Sequence, residues 1–413
     1  MKAFILLLLV LAGSAHAQEQ GTSLAQMQKV VNDTLGSKWY ERIQLKGYAQ
    51  FRYNRLFETN SNLTNSSSDK SMGNNKGIFL RRARLNFYGD ISDRVYMYLQ
   101  FDYSQDTSTG SMPQNFLQVR DAYFDYALTE NKEWRVRTGI SKVPYAFDNL
   151  QSSSNRGPFD RSDAMNTGAP NERDTGVFLM YAPTEVRKRF KELVSNNLKG
   201  TGDYGMIAAG VYNGQSLNKG EENNDLHRVV RLTYPFKLAN GQFIEASIQS
   251  YRGQFKTAGS TLDPGKVIET KAQNYDDYRT AASLIVYPQP FGFQAEYNVG
   301  QGPEFDKNKG VDGEVVKDDL KGGYIMVNYQ TTYKNDRFFP YVRYQEYDGG
   351  RKIDNGNRMQ TREWEFGTEW QPNPALEITA AYAISDRTVE SATSAQNSNQ
   401  NGQLLRLQAQ FNY

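Results

Sequence analysis

The chain has no cysteine and only 2 histidines among its 413 residues. Without thiols there is no disulfide framework, iron–sulfur cluster, cysteine-rich zinc site or thiol nucleophile, and two imidazoles cannot build a multi-histidine metal site. No cofactor, metal or catalytic residue is expected. Long apolar runs are also missing. A helical membrane protein needs several runs of about 20 residues, and this chain has one shorter run at its N-terminus. Charge of one sign is missing as well: 48 Lys and Arg face 46 Asp and Glu, a formal net charge of +2 that gives no footing to a nucleic-acid partner. Aromatics, by contrast, are abundant, at 13% with 27 Tyr and 22 Phe, although mean hydropathy is −0.71. So many rings argue against disorder. Rings in a polar chain suit strands that are greasy on one face and wet on the other, as in a membrane barrel with a hydrated interior.

Residues 1–17 read as a cleaved secretory signal. Lys2 gives the positive start, Phe4 to Ala12 the apolar stretch, and Ala15-His16-Ala17 the small-x-small cleavage site. Residues 18–42 do not alternate; Leu24, Met27, Val31 and Leu35 fit a short amphipathic helix in a periplasmic segment. From 43 to 413 the texture is that of a transmembrane antiparallel β-barrel. Period-2 segments are predicted near 43–56, 78–90, 94–104, 116–128, 133–141, 174–182, 204–213, 226–236, 242–255, 278–288, 291–301, 321–333, 338–348, 359–371, 376–387 and 402–413, about sixteen strands in all. Short links alternate with long polar loops at 57–77, 105–115, 142–173, 214–225, 256–276, 302–320, 349–357 and 388–401, the pattern of periplasmic turns and extracellular loops. The link 183–202 breaks that rule, being long and charged on the short side, and is expected to hold a short surface helix. The last strand puts Leu405, Leu407, Ala409, Phe411 and Tyr413 on one parity, an amphipathic end closing on an aromatic.

The inward parity carries both signs: Lys46, Arg52, Arg82, Arg84, Arg135, Arg137, Arg231, Arg279, Arg343 and Arg406 against Asp102, Asp121, Asp125, Glu245, Glu296, Glu363, Glu365 and Glu369. Opposed charges of this kind brace a barrel interior as readily as they select solutes, so function must come from local bias. Such bias exists. Arg81, Arg82 and Arg84 crowd four residues, with Arg81 on lipid-facing parity; Arg135 and Arg137 share one face; and the loop starting at Lys142 holds Arg156, Arg161 and Arg173. That loop, about 142–175, is expected to fold inward and constrict the pore, where guanidinium groups would replace an anion's water with charge-assisted hydrogen bonds.

Phe79 to Leu85 resembles the RRAR-type second strand of the phosphate-selective porin O and P family. Arg120-Asp121-Ala122-Tyr123 resembles its DAY strand, Gly139 to Tyr145 its G-x-F-K-x-P-F strand end, and Phe159 to Ser162 with Glu172 to Val177 its ERS and RDxGV pair. Asp160 stands where the family usually has Glu, and Ser141 where it often has Phe. The resemblance implies a sixteen-strand homotrimeric porin in the outer membrane of a Gram-negative bacterium, in contact with lipid and passing small anions such as phosphate or polyphosphate. By motif match the constriction falls on Arg81, Arg82, Lys142 and Asp121, with Arg156 or Arg161 as the loop arginine. The alternative is a general or oligosaccharide diffusion porin without phosphate selectivity, for which Tyr96, Tyr98, Tyr123 and Tyr324 offer stacking faces. An outer-membrane enzyme around His227 and a soluble secreted binding module are the competing classes. The GxGxxG-like run Gly200 to Gly205 is read as a turn, since a strand follows it where a nucleotide site needs a helix.

Overall fold

The computed structural model describes residues 39–58, 78–104, 116–257, 273–309, 313–390 and 399–413. The expected leader, most of segment 18–42 and much of the loops 57–77, 105–115, 256–276 and 388–401 lie outside the described residues. The strands are β1 Gln44–Glu58, β2 Ile78–Asp90, β3 Val95–Ser104, β4 Phe116–Ala127, β5 Trp134–Lys142, β6 Arg173–Tyr181, β7 Ile207–Tyr212 and β8 His227–Lys237. There follow β9 Phe243–Lys256, β10 Asn274–Val286, β11 Phe291–Asp306, β12 Glu314–Tyr329, β13 Asp336–Arg351, β14 Asn357–Asn373, β15 Leu376–Glu390 and β16 Asn399–Asn412. Thr331–Tyr333 continues β12 past Gln330, because both pieces pair with β13. Each strand pairs antiparallel with its chain neighbours, and the first pairs with the last, so the sheet is a closed 16-strand barrel.

Alternation builds the wall. On β14, Trp364, Phe366 and Trp370 are exposed on the outer face while Glu363, Glu365 and Glu369 are buried inside. On β16, Leu407 and Phe411 face out and Arg406 and Gln410 face in. The short links cluster at one end with the chain terminus, where Gly47 N donates to Tyr413 O at 2.6 Å and Tyr413 N to Gly47 O at 3.0 Å, closing the seam. At the other end the strands outrun the expected boundaries: β11 reaches Asp306, β12 begins at Glu314 and β13 runs to Arg351. Polar contacts there, such as Gln301 donating to Asp319 at 2.6 Å, stand among buried Phe305, Val315 and Leu320, so these stretches carry no regular apolar outer face to read.

The interior is packed over much of its section. Residues 143–172, with the one-turn helices α1 (Phe147–Leu150) and α2 (Asp163–Asn166), lie against the inner face of β10 to β16. Glu296 of β11 accepts the Phe147 and Asp148 amides at 2.6 and 2.8 Å, and Arg279 of β10 donates to Thr167 at 2.8 Å. Arg387 of β15 pairs with Asp163 at 3.2 Å. Val143, Tyr145, Ala164 and Met165 join Tyr251, Tyr324 and Tyr341 of the wall in one apolar cluster.

The link between β6 and β7 also turns inward. Its helix α3 (Thr184–Ser195) buries Val186, Phe190 and Leu193 against Phe147, Phe243, Ile285 and Tyr287, so one face is covered rather than lying free on the surface. Beyond it, Lys199 pairs with Glu369 at 2.6 Å, both buried, while Gln151 and Asn155 donate to the Lys199 and Gly200 carbonyls at 2.6 and 2.9 Å. Two inserts, one from each end, thus meet inside the barrel.

A Cβ on Gly47 would overlap the Arg84 carbonyl and the Tyr413 ring at the seam. Gly47→Val is therefore expected to block closure: unboiled wild-type protein should run as a compact band that shifts on heating, and the variant only at the heated position.

Candidate functional site

Two β-bulges set the site. In the β1–β2 register Gln50 faces Arg82 and Phe51 faces Leu80, so Arg81 is the extra residue. In the β3–β4 register Gln100 faces Asp121 and Phe101 faces Val119, so Arg120 is extra. A bulge puts two residues opposite one and bends the strand, which breaks strict alternation. Consecutive residues Arg120 and Asp121 are therefore both buried inside the barrel, as are Arg82 and Arg84, while Arg81 is half-buried at its bulge.

These side chains meet the end of the inward segment in one ionic network. Arg84 pairs with Asp102 at 3.0 Å, and Arg120 lies between Asp102 at 3.8 Å and Glu172 at 3.2 Å. Glu172 also holds Arg161 and Arg173, each at 2.6 Å, and Arg173 reaches Asp121 at 3.0 Å. Lys142 donates to the Leu150 and Gln151 carbonyls at 2.7 and 2.9 Å, and Arg161 to the Asp148 and Gln151 carbonyls at 2.9 and 2.7 Å. Six bases, Arg82, Arg84, Arg120, Lys142, Arg161 and Arg173, thus stand around three carboxylates, Asp102, Asp121 and Glu172. Their donors differ in use. Arg161 spends all three nitrogens on the segment, whereas Arg82 makes no hydrogen bond or ion pair with any described residue. Asn171 and Glu172 both adopt left-handed backbone, at φ 61° and 64°, a conformation that costs non-glycine residues roughly 1–3 kcal/mol each and is held here by the bonds to Glu172.

Below this network, toward the short-turn end, lies a cavity of about 460 Å³ that takes in Tyr98, Gln100, Asp121, Lys142, Arg173 and Lys46. The remaining sequence-chosen bases sit elsewhere. Arg135 and Arg137 line a second cavity of about 440 Å³ at the short-turn mouth, paired with Asp203 at 2.7 Å and Asp125 at 2.7 Å. Arg156 donates to Phe159 O at 2.6 Å within its own segment. At the tip of that segment Asp160 is held by Arg52 at 3.4 Å and by Arg406, and Arg343 donates to its carbonyl at 2.7 Å. His227 is buried 3.4 Å from Asp277, and Asp277 also takes Lys352 at 2.5 Å. Arg120 and Glu172 are the site residues that parity missed. The signal for Arg120 was the polar pair Arg120-Asp121, which interrupts the alternation of β4, whereas Glu172 lies outside the strands, where parity does not apply.

Comparison with known proteins gives a consistent fold. The model of the family "phosphate-selective porin O and P" matches residues 57–413. No curated protein matches the sequence. Salmonella typhi OmpF superposes at a TM-score of 0.54 and 13% identity, over 90% of this chain and 97% of that one. The outer membrane channel DcaP of Acinetobacter baumannii gives 0.52 and 13%, over 90% and 97%. OmpT of Vibrio cholerae in its trimer form gives 0.51 and 10%, over 90% and 99%.

Glu172 lies in the inward segment, outside the strands. Burial pushes its carboxyl up, but Arg161, Arg173 and Arg120 outweigh this and hold it well below the usual carboxylate range. A depressed folded pKa contributes stability that is complete above the unfolded value of about 4.3 and is lost as pH falls through the folded one. Glu172→Gln is expected to lower stability at neutral pH by roughly 3–5 kcal/mol, the cost of breaking a buried pair. It should also flatten the acid limb below about pH 4, as read by denaturation of the detergent-solubilised protein across pH.

Proposed function

The chain belongs to the phosphate-selective porin O and P family and is an outer-membrane porin, and we propose that it passes small anions, phosphate and polyphosphate among them, by passive diffusion along the β2–β5 side of its lumen. The observation that carries this reading is the surplus of six bases over three carboxylates in the ionic network, together with a buried guanidinium, Arg82, that makes no hydrogen bond or ion pair with any described residue. An anion entering a pore loses part of its hydration shell. Fixed N–H donors of Arg82, Arg84 and Lys142 would replace that shell with charge-assisted bonds. The paired carboxylates keep the remaining bases in place, so the donors need no reorganisation when a solute arrives. They also temper the attraction, which lets the ion leave as well as enter.

In this reading Arg81, Arg82, Arg84, Asp121 and Lys142 form the constriction. Arg161 with Glu172 locks the segment, Arg156 shapes its tip, and Arg135 and Arg137 receive the anion at the periplasmic mouth. We further propose export by a signal cleaved after Ala17, and a homotrimer like the trimer form of Vibrio cholerae OmpT. A general diffusion porin is the second reading, favoured by the inward carboxylates Glu245, Glu296, Glu363, Glu365 and Glu369 on the packed wall.

Planar-bilayer recordings decide between the two. Under a salt gradient the reversal potential should show anion preference, and added phosphate should depress chloride current. Losing one charged hydrogen bond costs roughly 1.5–3 kcal/mol, so Arg82→Ala should weaken phosphate block by about tenfold or more. Lys142→Ala should lower anion preference with the compact gel band retained. Cation preference in the wild type would favour the general porin.

A further inference from the structure

The periplasmic mouth holds a site of a different chemistry from the constriction. The insert running through Thr201 and Gly202 to Tyr204 stands between the two cavities, which share Tyr123, Thr201, Gly202 and Tyr204 as lining. On the mouth side, Arg137 is fixed edge-on by Asp125, its Nε and Nη2 donating at 2.7 and 2.9 Å. The face of its guanidinium lies 4.0 Å from the Tyr123 ring and 5.2 Å from the Tyr204 ring. Arg135 gives its Nη2 to Asp203 at 2.7 Å. Both side chains are more than nine-tenths buried, at 5% and 6% exposure, yet Nη1 of each has no partner among the described residues and is not sealed from the cavity. The Nη1 groups of two arginines lining one cavity are thus left for a ligand.

The surroundings narrow the ligand class. Tyr98 stacks on Tyr123 at 5.4 Å and 16°, and Tyr96 lines the cavity beside it, so ring faces continue from the constriction into the mouth. Bare phosphate has no use for such faces. Carboxylates Asp90, Asp125 and Asp203 also line the cavity. Each is held by a base, Asp90 by Lys132, Asp125 by Arg137 and Asp203 by Arg135 and Arg187, and their remaining lone pairs accept hydrogen bonds from hydroxyl groups. Anion-binding forks, aromatic faces and carboxylate acceptors together match a phosphorylated monosaccharide: phosphate on the arginine Nη1 groups, the C–H face of the ring on tyrosine, and hydroxyls on the aspartates. A cavity of about 440 Å³ accommodates a solute of that size.

We propose that this vestibule is a binding site for hexose phosphates, through which the porin favours sugar phosphates over inorganic phosphate at its inner mouth. The proposal rests on solute passage through the lumen for its use, but not for its existence. The test measures glucose 6-phosphate, glucose and inorganic phosphate separately on the full-length mature protein. Calorimetry in detergent reports binding, and block of chloride current in bilayers reports passage.

Glucose 6-phosphate should bind and block at concentrations at least tenfold lower than either of the others. Tyr96→Ala should weaken its binding fivefold or more with phosphate block unchanged, and Tyr96→Phe should restore it. Tyr204→Ala serves as a second variant should Tyr96→Ala fail to fold. Glucose 6-phosphate binding no tighter than phosphate, or binding indifferent to both tyrosine truncations, overturns the site. Tyr96-dependent binding in a pore without anion preference would sustain the site and overturn the anion-porin reading alone.

Discussion

Hydrocarbon offers backbone amides no partner, so a sheet that crosses it must close. Every other property of this chain answers to that constraint. Closure makes β1 pair with β16 and leaves the Gly47–Tyr413 seam no room for a side chain. It also makes the inner face a sealed, wet surface that must carry the polar half of every strand. A ring of sixteen strands is wide, and the chain fills most of that width with its own inserts rather than with water. Two cavities remain on the β2 to β5 side among the described residues, lined by charged side chains of the wall.

A chain of nearly balanced charge can still present a strongly biased site, because pairing is local. On the packed wall the arginines are matched closely: Arg231 with Glu245, Arg343 with Glu365, and Arg387 with Glu363 and Asp163. Those pairs brace the inserts. In the network of β2 to β6, one carboxylate serves several bases. Glu172 holds Arg120, Arg161 and Arg173 at once, which keeps positive side chains upright while leaving their charge incompletely cancelled. Buried ion pairs rarely add much net stability; here they supply fixed geometry for groups that would otherwise repel one another.

Much of this is legible in the sequence. Period 2 located the strands wherever one face meets lipid, and every basic residue assigned to the lumen on β2, β5, β8, β10, β13 and β16 is buried there. Legibility ended where the physics of alternation ends. Beyond the lipid band the outer face is no longer regularly apolar, so the upper parts of β11 to β13 read as loop. At Arg81 and Arg120 a single extra residue interrupts parity, and a period-2 reading does not place Arg120 inside beside Asp121. The partners of the inward segment were invisible because Arg52, Arg406 and Asp160 are far apart in the chain, and only closure brings them together.

The two inserts also act on the wall itself. Through Gln151 with Lys199, Asn155 with Gly200, Lys199 with Glu369, and Glu296 with the start of α1, opposite staves are tied across the interior as spokes tie a rim. A hollow cylinder of this girth would flatten toward an ellipse under uneven lateral pressure. A spoked one resists that flattening, since any change of section must first stretch the bonds that cross it.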